Sequence, residues 1–297
     1  FLFFKMRGYV VEITLILQVI IGGLLLGSIY ALIASGLDVI YGVMEVINFA
    51  HGEFIMLSMY ISYWLFVLYG IDPLVSLAIA PFICFIIGAI FQKLVIERVL
   101  GAPIFIQTFA TFGLLILLQN IAMFLWKEDF RSTGISYGTI AVGDISISTS
   151  RLISSIGSLV MVGALYVFFS KTKLGMALRA TSEKRDVAKL MGVNISYMYW
   201  LAFGIGTMCA GVAGVFISTF YYLYPTVGSV FILMAFVICV LGGTGNLLGA
   251  LVGGLIIGEV EVLSAFFIGP QWKEVVSMII FVIILLFKPS GLLGGRK

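Results

Sequence analysis

Glu45, Asn48, His51 and Glu53 fall close together, Asp38 precedes them, and His51 is the only imidazole in the chain. A single histidine with carboxylates two and six residues away offers no ligand repeat and no second imidazole, so the group makes a poor metal site. No Ser/His/Asp or Cys/His arrangement is visible either, and covalent catalysis is not expected. Cys84, Cys209 and Cys239 stand singly in apolar runs without CxxC spacing and read as small buried hydrophobes. GGTGN at 242–246 is followed by no Gly-Lys-Ser/Thr, so the chain has no Walker A loop and holds no ATP by that route. Neither a cofactor nor a metal is expected here. At membrane depth an ionisable group costs about 3 kcal/mol and must pair, bond freed backbone or face a cavity. The four polar residues therefore either brace a break in a helix or line a translocation path or its gate. Glu259 and Glu261 leave the same choice open; two apart, they cannot share one helix face.

A second polar feature, residues 171–194, is an island of charge with six basic residues between Lys171 and Lys189. Ala180, Val187, Ala188 and Met191 recur at helical spacing, with polar residues over the remaining surface and Lys184 alone interrupting the apolar stripe. Thr181 or Ser182 is placed to cap the start, Glu183 complements the dipole of the first turn, and Gly192 follows the end. A short amphipathic helix is expected. Its spacing fits two roles, lying on lipid headgroups or docking into a groove on a cytoplasmic partner.

The elements that hold these residues are set by composition: 297 residues, 62% hydrophobic and 10% charged, with mean hydropathy +1.19. Such a chain is all-α, a polytopic transmembrane helix bundle forming a single domain over 1–297, with no room for a separate soluble unit. Apolar segments are expected at 11–34, 37–49, 54–69, 73–94, 104–126, 152–169, 198–220, 230–241, 247–267 and 274–287. The second and eighth fall short of the roughly 17 residues a straight span needs, and are candidates for broken or re-entrant helices. The bundle thus has about eight to ten spans, eight if both are re-entrant. Lys93 and Arg98, the island, and Lys288, Arg296 and Lys297 all follow even-numbered segments, which places them inside by the positive-inside rule. With Lys5 and Arg7 this predicts both termini in the cytoplasm. No cleavable signal peptide is recognisable, and the net charge of +3 reflects one membrane face rather than nucleic-acid binding. Gly245, Gly249 and Gly253 recur every fourth residue, as do Gly23 and Gly27, Gly254 and Gly258. Such faces let helices pack closely, or else serve a dimer contact or gate.

GMALRATSEKRDVAKLMGVN at 175–194 resembles the cytoplasmic coupling loop of permease subunits of branched-chain amino-acid ABC importers. INFAHGEF at 47–54 resembles a stretch near the start of that family's first type of permease subunit, and LGGTGNLLGALVGG at 241–254 and KPSGLLG at 288–294 resemble later stretches, in matching order. Lys184 departs from the acidic or polar residue usual in relatives. The resemblance implies a multi-pass prokaryotic inner-membrane protein paired with a second permease subunit. It also implies two cytoplasmic ATPase subunits that carry ATP and Mg, and an extracytoplasmic substrate-binding protein. It implies docking of the ATPase through Gly175, Ala177, Arg179, Ala180, Glu183, Lys184, Ala188 and Gly192. Branched-chain or related amino acids are the implied cargo, with urea or short amides as the alternative. From another class, an ion-coupled secondary transporter is left open by Glu45, Glu259 and Glu261; a channel lacks its filter-like segment.

Overall fold

The computed structural model describes residues 2–294, with side chains from residue 14 onward. The expected topological contributions of Lys5 and Arg7, whose side chains are not among those described, and of Arg296 and Lys297 lie outside the described part of the chain.

The first two apolar segments are one helix, α1 (Leu2–Met44), so the expected separate segment at 37–49 does not exist. Only Ser35 and Gly36 stand between them. One glycine costs a helix about 1 kcal/mol, less than the unbonded backbone a break would leave in lipid, and the Ser35 hydroxyl donates back to Ala31 O at 2.7 Å. The break comes instead at Glu45, whose φ of 57° is left-handed. A non-helical stretch leads from there to α2 (His51–Tyr69), which ends on left-handed Gly70. A short 3-10 turn (Val75–Ala78) then opens α3 (Ala80–Phe91), whose π-helical extension Gln92–Ile96 runs into α4 (Glu97–Val99). After α5 (Ile104–Trp126), a hairpin pairs β1 (Thr139–Val142) with antiparallel β2 (Ile145–Ser148) and feeds α6 (Thr149–Lys171). The charged island holds α7 (Lys173–Glu183) and α8 (Arg185–Leu190); beyond it come α9 (Ile195–Ser218), α10 (Val227–Gly242), α11 (Leu247–Phe267) and α12 (Lys273–Phe287). Among the described residues eight helical segments are long and apolar enough to cross a membrane, and α10 is the shorter apolar helix beside them.

Contacts define two ends of this bundle. At one, Arg131 and Leu223 form a β-bridge and Tyr137 OH donates to Asp72 Oδ1 at 2.7 Å; burial first, then that bond, push the Tyr137 phenol up. At the other, the island meets the end of α1, and the C-terminal stretch folds under α10 through Leu292 N–H to Leu241 O at 2.7 Å. The second short segment is not re-entrant. The α10 helix carries the chain from the neighbourhood of the first end to Gly243 at the second, and is short because the non-helical stretch 219–226 makes up the distance.

The core is α9, buried along nearly its whole length, with α1, α2, α3 and α11 packed about it or about one another. Small residues set these distances. A methyl on Gly258 would stand 2.3 Å from Gly27 Cα, and one on Gly249 the same 2.3 Å from Gly242 O. Gly245, Gly249 and Gly253 thus meet Gly42, Gly242 and Ile238 of this same chain. That contact is intramolecular packing, in which backbone approach replaces the hydrophobic drive that lipid cannot supply.

Candidate functional site

The island is built as two short helices meeting at Lys184, rather than the single helix expected over 180–191. Lys184 adopts φ −151° and ψ 95°, extended values that end α7 and open α8. The cap lies earlier than predicted: Thr172 Oγ1 accepts from Gly175 N–H at 3.0 Å. Thr181 is buried and donates to Ala177 O at 2.8 Å, while Ser182 donates to Arg179 O at 3.0 Å. Neither caps a helix start, because α7 already runs through them. Gly192 does take the left-handed φ of 84° expected after the last turn.

Burial divides the residues expected to meet an ATPase. Arg179, Ala180, Glu183, Lys184 and Gly192 are exposed, and Ala177 is half-buried. Gly175 and Ala188 instead face this chain's own body. A methyl at Gly175 would lie 2.1 Å from Phe168 O, so the missing side chain is what lets α7 fold back on α6. Buried Leu178 and Thr181 seat the loop from the same side. The uncovered apolar tip joins Leu190, 87% exposed and outside the expected stripe, to Met191, 80% exposed, which the spacing had placed in that stripe. Their place just before the terminating glycine was the available signal.

Glu45, expected with the His51 group, stands apart from it at the island's end of the bundle. Its Oε2 lies 3.4 Å from Arg185 Nη2, both side chains partly exposed, and the same guanidinium sits 5.8 Å from the Tyr199 ring centroid. The break after α1 is thereby joined to α8. Asn48, His51 and Glu53 are fully buried deeper in the bundle. Asn48 braces the break, its Oδ1 accepting from Ala50 N–H at 3.2 Å and its carbonyl from His51 N–H at 3.2 Å. The His51 Nε2–H donates to Ile33 O at 3.1 Å.

The starts of two helices converge here. Gly52 on α2 meets Gly228 on α10 so closely that a methyl on Gly52 would stand 2.1 Å from Gly228 O. Helix N-termini carry unpaired N–H groups and positive dipole ends, and Glu53 lies in the first turn of α2. Gln119 of α5 closes over it, its Nε2 donating to Glu53 Oε1 at 3.0 Å and to Ser229 Oγ at 2.9 Å. Thr111, about two turns earlier on the same side of α5, donates to Ile47 O at 2.9 Å and accepts from Phe49 N–H at 3.3 Å. Glu53 Oε2, Asn48 Nδ2 and His51 Nδ1 have no hydrogen-bond partner among the described residues. Sequence reasoning missed Thr111, Gln119 and Ser229, since a lone amide or hydroxyl in an apolar run carries no spacing pattern. Glu261 is separate from this junction: buried, it pairs with Lys273 Nζ at 2.6 Å and accepts from Tyr30 OH at 2.7 Å, while Glu259 packs against Gly23.

A broken-helix junction in the bundle and an amphipathic loop at one end are the parts of a permease, and comparison with known proteins agrees. The chain resembles the LivH high-affinity branched-chain amino acid transport system permease protein of Salmonella typhimurium, at 36% identity over 94% of this chain and 95% of that one. It resembles BraD of Pseudomonas aeruginosa, which bears the same description, at 33% identity over 95% and 97%. A chain in the solved structure of PsaBC from Streptococcus pneumoniae in complex with Fab shares the fold, with 14% identity, 91% of each chain covered and a TM-score of 0.50. The model of the family described as branched-chain amino acid transport system, permease component, matches residues 19–285, and the chain belongs to that family.

Proposed function

We propose that this chain is the membrane half of an ATP-driven importer that moves branched-chain or related amino acids inward. In this reading a substrate-binding protein presents the cargo outside, a second permease subunit completes the path, and two ATPase subunits carrying ATP and Mg dock on residues 171–194. One observation carries the docking reading: the Leu190 and Met191 tip stands clear of the protein, 87% and 80% exposed, framed by exposed Arg179, Glu183 and Lys184. A helix lying on lipid would bury its apolar side at the headgroup and acyl boundary; an apolar tip at the end of a charged loop suits a protein groove with a polar rim.

The island's end is then the cytoplasmic one, and Lys288 lies on the same side. Because α1 meets Gly245 near its C-terminal end and Glu259 at Gly23, it crosses once. In this reading the N-terminal end of α1 points away from the cytoplasm. Movement of α8 reaches the junction by a short route, from Arg185 to Glu45, along 45–50, and through Thr111 and Gln119 to α5. Glu53, Asn48 and His51 lie where a gate would open. Much of α5 is uncovered, including Phe105, Phe109, Ile116 and Phe124, which suits the second permease subunit. Reconstituted uptake tests the reading: it requires both ATP and a binding protein, and uptake driven by an ion gradient alone refutes it.

A further inference from the structure

A cavity of about 1100 Å³ opens at the island's end, between α1, α6, α7, the loop before α11 and the C-terminal stretch. Asp38 lines it and is 2% exposed. Oδ1 accepts from Gly245 N–H at 3.0 Å and from the Cys239 thiol. Oδ2 has no partner. Glu261, the comparable buried carboxylate, has a lysine and a tyrosine on its two oxygens; Asp38 forms no ion pair with a cation among the described residues. Arg179, the cation in this cavity wall, lies 4.0 Å from Glu183. Buried acceptors are normally satisfied, and a buried carboxylate calls for a cation.

We propose that this cavity binds a primary ammonium group seated on Asp38. A divalent metal is the poorer occupant, because hard cations take several oxygen ligands, usually with more than one carboxylate, and no group of three His, Cys, Asp or Glu is present among the described residues. An ammonium has three donors and needs neutral acceptors beside one carboxylate. Thr244, Asn246 and Ser290 bring such oxygens to the same wall, with Val39 and Phe169 offering apolar surface and Arg179 suiting an anion on the far end of the ligand. That chemistry has two sources: a free amino acid, or the ethanolamine headgroup of a phospholipid. The site does not depend on which cargo the transporter moves.

The test uses the detergent-purified transporter with its co-purifying subunits and without a soluble binding protein. Calorimetric titration compares leucine, isopentylamine and 4-methylpentanoate, which carry both charges, the ammonium alone and the carboxylate alone. Leucine and isopentylamine are expected to bind saturably at one site and weaken at least tenfold in Asp38→Asn, but not in Glu128→Gln, which removes an exposed carboxylate outside both this cavity and the junction. Native mass spectrometry of protein from ethanolamine-containing and ethanolamine-free nanodiscs is the lipid arm; retention of that lipid alone, lost in Asp38→Asn, assigns the headgroup as the source. Binding and retention that are unchanged in Asp38→Asn overturn the proposal. If that variant does not assemble, the wild-type protein decides: 4-methylpentanoate binding as tightly as isopentylamine, without selective ethanolamine-lipid retention, overturns it.

Discussion

Reversing Arg185 should uncouple ATP hydrolysis from uptake while leaving the protein folded. Its guanidinium stands 3.4 Å from the Glu45 carboxylate, with side chains 39% and 62% exposed. Coulomb attraction at that distance is about 1.2 kcal/mol in water. Exposure and side-chain entropy reduce it to about 0.5–1 kcal/mol. Arg185→Glu replaces attraction with similar repulsion, a swing of roughly 1–2 kcal/mol, or about 5- to 30-fold in how often α8 is held to the break after α1. That is too little to unfold a bundle whose core lies elsewhere, yet enough to disengage a lever. Proteoliposomes report both quantities, and uptake per ATP hydrolysed should fall by about that factor. The Glu45→Arg, Arg185→Glu pair restores opposite charges and should recover most of the loss. A paired variant no better than either single one, with all assembled equally, refutes the link; so does normal coupling in Arg185→Glu.

Leu190→Asp together with Met191→Asp should remove ATPase co-purification, because two apolar side chains that would each bury about 1.5–3 kcal/mol become charged; unchanged pull-down would refute tip docking. Gly258→Val places a side chain where even a methyl stands 2.3 Å from Gly27 Cα. Melting should drop by the equivalent of about 1–3 kcal/mol or more, whereas Gly113→Ala, with nothing within 4 Å, should leave it unchanged. Thr111→Val keeps shape but removes the bonds to Ile47 O and Phe49 N–H; a buried pair left unmade costs about 1–3 kcal/mol. Transport should fall with little change in ATPase binding, as uptake and co-purification would read together.

Some features were legible because they depend on nearest neighbours along the chain. The apolar runs gave the helical class, Gly192 the end of the island's last turn, and small residues every fourth position the packed faces. Others failed for a local reason: Leu37 to Phe49 looked separate only because Ser35 and Gly36 interrupt the hydropathy, and an apolar helix in lipid runs through so weak an interruption. The caps of the island failed likewise, since Thr181 has the right chemistry but sits inside a helix already started from Thr172.

By itself the sequence determined that the chain is a helical membrane bundle, that one polar loop interrupts it, and that the loop resembles a coupling loop. Hydropathy and motif order are properties of short windows, and those windows suffice. Only the tertiary structure decided which way each polar side chain is used. It turned Ala188 inward and Met191 outward, drew Glu45 away from His51 to Arg185, and brought Gln119 over Glu53 across 66 positions. These depend on helix rotation and on which distant helix each glycine face meets, which arise from packing among distant segments and are written in no single stretch of sequence.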